Sequence, residues 1–382
     1  MRRKIFQKSL KFIFILLLLI SISCSRKLQF ESYLKNQNLW LFYGKTLSRD
    51  FFINQKFQGN LKPIWSTELE GGISLTSPLS IHKYFVTFDL KGNIYFIDIK
   101  SGKKIGKKSF GQPILVNPII KLNEIIIPLA ETSKLKSQLI ILDILNNNIK
   151  SKIELNSSIE NEMIYDNESL IVILTNGEII KLNSNYLIDW KVKLNNPVKS
   201  SPSFFNKKIL IGTVKGEIYL LDVNGKILHQ TKIEGKINSG FSIKDNRFFF
   251  SSGNKLYCYD LNTFDKKWEV KLISEARVIP SLDENSIFLG DLSGNFYKIN
   301  QLTGKIEWIL NLGGIFNNSA LVTENLIFLP NLFKKLFVID KITGEILNVL
   351  EYSGRVKYSP IIVENILVIG VDDKKLIAYE VQ

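Results

Sequence analysis

Runs of four to six apolar residues, broken by glycine, asparagine and lysine, recur along the chain from about residue 60 onward. One unit shows the pattern. Lys208-Ile209-Leu210-Ile211-Gly212 is an apolar run, Lys215-Gly216 a turn, Glu217-Ile218-Tyr219-Leu220-Leu221-Asp222 a second run, and Asn224-Gly225 a second turn into Lys226-Ile227-Leu228. Short β-branched and aromatic runs punctuated by glycine predict hairpins. The runs are apolar throughout instead of alternating, so the pattern predicts strands covered on both faces.

Two landmarks give the period. A Ser-Pro-like pair precedes an apolar strand, with its second position at Pro78, Pro118, Met163, Pro202, Gly240, Pro280, Ala320 and Pro360. An acid or amide ends a later strand, at Asp98, Asp143, Asn183, Asp222, Asp260, Asn300, Asp340 and Glu380. A repeat of about forty residues points to a propeller or a solenoid. The landmarks lie twenty residues apart in seven units and twenty-five apart in the second, where the polar stretch 131–138 reads as a loop insertion. In Asp98 to Gly102, Asn300 to Gly304 and Asp340 to Gly344, the side chain of the landmark can accept turn amides while glycine supplies a positive φ. Trp190, Trp268 and Trp308 follow their landmarks by seven or eight residues, placed to pack on the next blade. All of these read as scaffold.

The two ends of the repeat complement each other. The eighth unit stops at Gln382, just past Glu380, so its outermost strand is missing. A spare outer strand stands ahead of the first unit, Lys62-Pro63-Ile64-Trp65-Ser66-Thr67-Glu68-Leu69, matching in character the segment from Lys305 through Trp308 to Leu312. An open solenoid requires no such match and needs capping units. The expectation is therefore an all-β chain forming an eight-bladed β-propeller, closed by the N-terminal strand completing the last blade. Residues 61–382 form the propeller, behind a signal peptide at 1–23 and a lipidated tether and lead-in at 24–60.

That division rests on the first residues. Arg2, Arg3, Lys4, Lys8 and Lys11 precede an apolar run from Phe12 to Ile20, then Ser21-Ile22-Ser23-Cys24. This is a secretory signal layout, with an apolar run shorter than the ~20 residues that cross a bilayer. Ser23 before Cys24 resembles a bacterial lipobox, although Ser21 stands where that pattern has leucine. The resemblance implies lipidation of Cys24 and a body anchored at a membrane surface outside the cytoplasm.

Charge and composition narrow the function. The net charge is +14, five units of it in the first eleven residues. The remaining lysines are scattered among acids, not gathered in a basic stripe with interleaved aromatics, so no nucleic-acid partner is expected. Only His82 and His229 are present, far apart, which removes most histidine-based metal and general-base chemistry. Cys24 and Cys258 are the only cysteines; Cys258 sits inside an apolar strand and reads as a buried, inert thiol.

The units resemble the family of PQQ-like β-propeller repeats. The residues that carry the likeness are Ser201-Pro202, Gly212, Gly216 through Tyr219 to Asp222, and Asn300 to Trp308 with Thr303-Gly304, together with the lead-in Leu39-Trp40 to Gly44, Arg49, and Leu61 to Trp65. Glu162-Met163, Ser239-Gly240 and Lys334 depart from the pattern. Within that family the chain most resembles the anchored BamB lipoproteins of outer-membrane β-barrel assembly. This implies a non-catalytic scaffold that docks on barrel-assembly proteins, without catalytic residues, cofactor or metal. The alternative is a propeller binding module of another kind: a surface adhesin, a sensor or an adaptor of a different envelope complex. The aromatic lead-in (Phe42, Tyr43, Phe51, Phe52) either docks on the propeller wall or offers a partner patch. A PQQ-dependent dehydrogenase is the least favoured reading. Such enzymes are larger, often carry an adjacent cysteine pair and need calcium ligands, whereas Asp372-Asp373, ahead of Lys374-Lys375, reads as a solvated hairpin turn.

Overall fold

The computed structural model describes residues 40–382, apart from 76, 132, 134 and 167. The expected signal peptide, Cys24 and the rest of the tether and lead-in up to residue 39 lie outside the described residues. The described chain contains no helix and forms eight small antiparallel sheets arranged in a ring, the eight-bladed propeller expected from the repeat. Blade 1 spans 79–109, blade 2 spans 119–155, blade 3 spans 164–193 and blade 4 spans 203–232. Blades 5, 6 and 7 span 242–271, 281–311 and 321–351.

Each blade runs outward from a short inner strand that begins one or two residues after the Ser-Pro-like landmark. The two middle strands are buried almost throughout, as Lys208–Gly212 and Glu217–Asp222 show, because blades cover both their faces. The outer strand alternates, with every second side chain turned outward, as in Lys266–Lys271. The apolar clusters accordingly lie between blades, pairing strands of one sheet with those of the next.

Blade 8 is built as the two chain ends suggest. Its inner and middle strands are Ile361–Val363, Ile366–Val371 and Lys375–Val381, and its outer strand is Leu61–Glu68, antiparallel to Lys375–Val381 with Thr67 opposite Leu376. In every blade the register between third and outer strands slips by one residue, for instance between Lys298 and Ile299. The closing pair has the same slip, between Pro63 and Trp65. A bulge adds local twist, so the borrowed strand reproduces the geometry of the covalently continuous ones.

Tryptophans join neighbouring blades. The Trp268 indole donates to the Gln301 carbonyl at 3.1 Å, Trp190 to Val223 at 3.0 Å and Trp65 to Ile99 at 2.8 Å. Each ring lies against the turn glycine of the next blade: Gly304 for Trp268, Gly225 for Trp190 and Gly102 for Trp65. A Cβ on Gly102 or Gly304 would come within 2.5–2.8 Å of the indole, and all three glycines have φ of +67° to +82°. The landmark acids serve these turns. Asp340 accepts from the amides of Ile342 (2.9 Å) and Thr343 (2.7 Å), and Asn300 does the same for Leu302 and Thr303. In blade 2 the extra residues lengthen the middle hairpin to two eight-residue strands, Glu124–Glu131 and Lys136–Asp143, so the insertion extends strands instead of forming only a loop.

Candidate functional site: the lead-in and the mouth of the channel

The inner strands surround a central channel, and the lead-in follows that ring from blade to blade. Trp40 exchanges bonds with Ser80 of blade 1. Phe42 packs on the cluster between blades 2 and 3, and Leu47 on that between blades 3 and 4. Backbone carbonyls of Leu47, Ser48, Asp50 and Phe51 then accept from the amides of Phe204, Ile243, Leu282 and Val322, the inner strands of blades 4 to 7, at 2.8–2.9 Å. Phe52–Ile53 adds a short parallel strand to blade 7. Asn325 clamps Phe57 from both sides, and the chain passes into the closing strand. Inner-strand edges are rows of unpaired backbone groups; in blade 1 and in blades 4 to 7 the lead-in pairs with them. The aromatics thus dock inside the ring: Phe51 is fully buried with Tyr43 edge-on at 5.3 Å, and Phe52 lies under the Lys341 ammonium.

Arg49 anchors this segment. Its side chain is 1% exposed, with Nε donating to the Pro202 carbonyl at 2.7 Å and a terminal nitrogen to the Tyr43 carbonyl at 2.9 Å. Burial pulls its guanidinium below the ordinary value, and Glu162 and Tyr43 oppose that shift.

The other face, which carries the linkers between blades, keeps an opening. A cavity of about 170 Å³ sits there, with Tyr43 of the lead-in among the residues that line it. Its walls come in two tiers set by the repeat. The outer tier is the third residue before the landmark in blades 1, 2, 3, 6 and 7: Leu75, Leu115, Glu160, Arg277 and Asn317. The inner tier is the residue just before the landmark, including Glu162, Ser201, Ile279 and Ser319. Polar members of the inner tier also tie blade to blade: Ser319 donates to the Ile279 carbonyl at 2.7 Å and Asn117 to that of Ser77 at 3.0 Å.

Glu162 differs from its equivalents, several of which are serines. It is 8% exposed, and its hydrogen bond is a long one, 3.4 Å from the Asn117 amide. Burial pushes its carboxyl up to about 7, against the opposing field of Arg49. The sequence marks Glu162 only as a departure from Ser-Pro; that the departure faces the channel requires the ring.

Other residues singled out by sequence fall into place. Cys258 is buried between blades and burial pushes its thiol up to about 12. His82 lies in a blade 1 turn, and His229 stacks on Phe264 at 5.3 Å. Asp372 and Asp373 do form a turn, but not a freely solvated one: Asp372 pairs with Arg355 and Lys357, and Asp373 with Ser353 and Lys375. Lys334 has φ +66° where Gly92, Gly216 and Gly294 stand in other blades, so it departs from the pattern without changing the turn. Sequence reasoning missed a second device. Asp89 accepts from the amides of Gly71, Lys91 and Asn93, from Asn93 Nδ2 and from the Tyr95 hydroxyl, and Asp291 repeats this in blade 6 with Asn295 and Tyr297. The recurring Asp-x-x-Gly-Asn-x-Tyr spelling was its signal. Among the described residues no group of three or more His, Cys, Asp or Glu side chains is placed to hold a metal ion.

Solved structures share the fold across nearly the whole described ring. BamB from Moraxella catarrhalis superposes with a TM-score of 0.71 at 16% identity, over 84% of this chain and 100% of that one. The computationally designed Ika8 protein gives 0.72 at 14% identity, over 84% and 99%. A europium-containing methanol dehydrogenase gives 0.72 at 11%, over 90% and 89%, so the fold also houses enzymes. No curated protein matches the sequence. The family model described as outer membrane protein assembly factor BamB matches residues 91–310, more than half of the chain. The chain belongs to the BamB family of β-propellers.

Proposed function

We propose that this protein is a non-catalytic scaffold of the cell envelope, lipid-anchored through Cys24 at the outer membrane, that binds components of outer-membrane β-barrel assembly. The observation that carries this reading is the family match over residues 91–310. Two structural features support it. The buried acids Asp89 and Asp291 are saturated by turn amides and tyrosine hydroxyls, as scaffold residues are. The lead-in occupies the inner-strand edges, leaving loops and outer blade edges as the surfaces available to partners.

The test is crosslinking in intact cells, followed by solubilisation, purification through a C-terminal tag and identification of what co-purifies. Recovery of the outer-membrane barrel-assembly protein, retained at moderate salt, is the expected result. Clean recovery of the propeller without it would reduce the family relationship to shared fold and favour an adhesin, sensor or adaptor role. Replacing Cys24 with alanine is expected to release the protein from the membrane fraction, which separates anchoring from partner binding.

A further inference from the structure

We propose that the open mouth of the channel binds a primary ammonium group on a short alkyl stem, with Glu162 as its counter-ion. This goes beyond the scaffold reading and stands or falls independently of it.

The site has room and two kinds of wall. Its volume of about 170 Å³ compares with the ~150 Å³ cavity that admits benzene in an engineered protein core. Apolar lining comes from Leu75, Leu115, Val278 and Ile279, on the linkers into blades 1, 2 and 6. Two acids come from the linker into blade 3, Glu160 at the exposed rim and Glu162 within. The cations nearby are already committed. Arg277 is held by two bonds to Glu275, at 2.8 and 3.1 Å. Arg49 donates to the carbonyls of Pro202 and Tyr43 and acts on Glu162 only through space.

A carboxylate more than nine-tenths buried, with one long hydrogen bond, is a costly arrangement unless a cation completes it. An ammonium brings three donors. One satisfies Glu162, and the hydroxyls of Ser201 and Ser319 line the same space for the others. The apolar lining side chains then take the alkyl stem. An anion would meet two acids and gain no uncommitted cation among the lining residues. The ammonium has two possible sources, a free alkylamine or a lysine side chain offered by a partner chain.

Calorimetric titration of the full chain tests this with three probes: n-butylammonium chloride, 1-butanol, and an N-acetylated pentapeptide amide with one lysine among glycines. The expected result is saturable binding of n-butylammonium and none of butanol at the same concentrations. Glu162→Gln should weaken it about tenfold or more. Affinity should rise between about pH 6 and about pH 8, because Glu162 is the lining carboxyl that burial pushes up to about 7, while Tyr43, Arg49 and Arg277 keep their charge states there. If the peptide binds at least as tightly as the amine, the source is a partner's lysine; if only the amine binds, it is a free ligand. Equal binding of butanol, binding by Glu162→Gln within about twofold of the parent, or no saturable binding of either amine would overturn the proposal. Folding of the variant is read from the thermal transition of the same sample.

Discussion

Single residues carry both the rules of the repeat and its exceptions. The turn between the two middle strands needs a left-handed residue, and Lys334 adopts it with φ +66° where Gly294 has +87°. A side chain there costs about 1 kcal/mol, so Lys334→Gly is expected to raise stability by up to about that amount, less the entropy glycine adds to the unfolded chain. Gly294→Ala should do the reverse and more, because its Cβ would fall 2.5 Å from the Gly313 backbone. Glu162 makes a prediction with pH. Its folded pKa of about 7 lies above the ordinary 4.5, so the folded state holds the proton more tightly than the unfolded chain does. Stability therefore falls as pH rises from about 4.5 through about 7 and stays reduced above, by at most on the order of 3 kcal/mol. Glu162→Gln should melt with the parent near pH 4 and above it at pH 8; a gap independent of pH would show that the carboxyl is not desolvated. These features were unevenly legible. Cys258 and the landmark acids could be read from their strands and turns alone. Glu162 could not, because only the closed ring decides which linker residue faces the axis.

At the level of elements, the strands were legible because each unit repeats the same spelling with glycine at fixed positions. The interblade contacts were only half legible: the tryptophan positions showed, but their acceptors lie some 33 residues further on in the next blade. Their hydrogen bonds differ in a testable way. The Trp268 indole nitrogen reaches a carbonyl, whereas that of Trp308 is buried without a partner. Trp268→Phe should therefore cost about 1 kcal/mol more than Trp308→Phe, read from chemical unfolding midpoints. Equal costs would mean that ring packing against Gly304 and Gly344 accounts for the whole contribution. The insertion of blade 2 illustrates the limit of pattern reading. Extra polar residues signal added length, but whether they extend strands or bulge as a loop depends on pairing partners, here Ala130 with Ser137 and Glu131 with Lys136.

The molecule as a whole depends on a segment of about thirty residues at the head of the described chain. The closing strand was foreseeable from the missing outer strand of blade 8 and the spare one at 62–69. The route of the lead-in was not, since its pairing with the inner strands of blades 4 to 7 uses backbone groups that carry no sequence signature. The closing strand completes the ring from its outer edge, and the lead-in lines the inner strands of blade 1 and of blades 4 to 7 and contributes Tyr43 to the cavity at the mouth. Hydrogen–deuterium exchange of the full chain tests this most directly. Amides of 61–68 and 375–381 are expected to be protected to the same degree, with the inner-strand amides of Phe204, Ile243, Leu282 and Val322 protected alongside them. Rapid exchange at 61–68 while the outer strands of blades 1 to 7 remain protected would contradict the closure of the ring by the N-terminal strand.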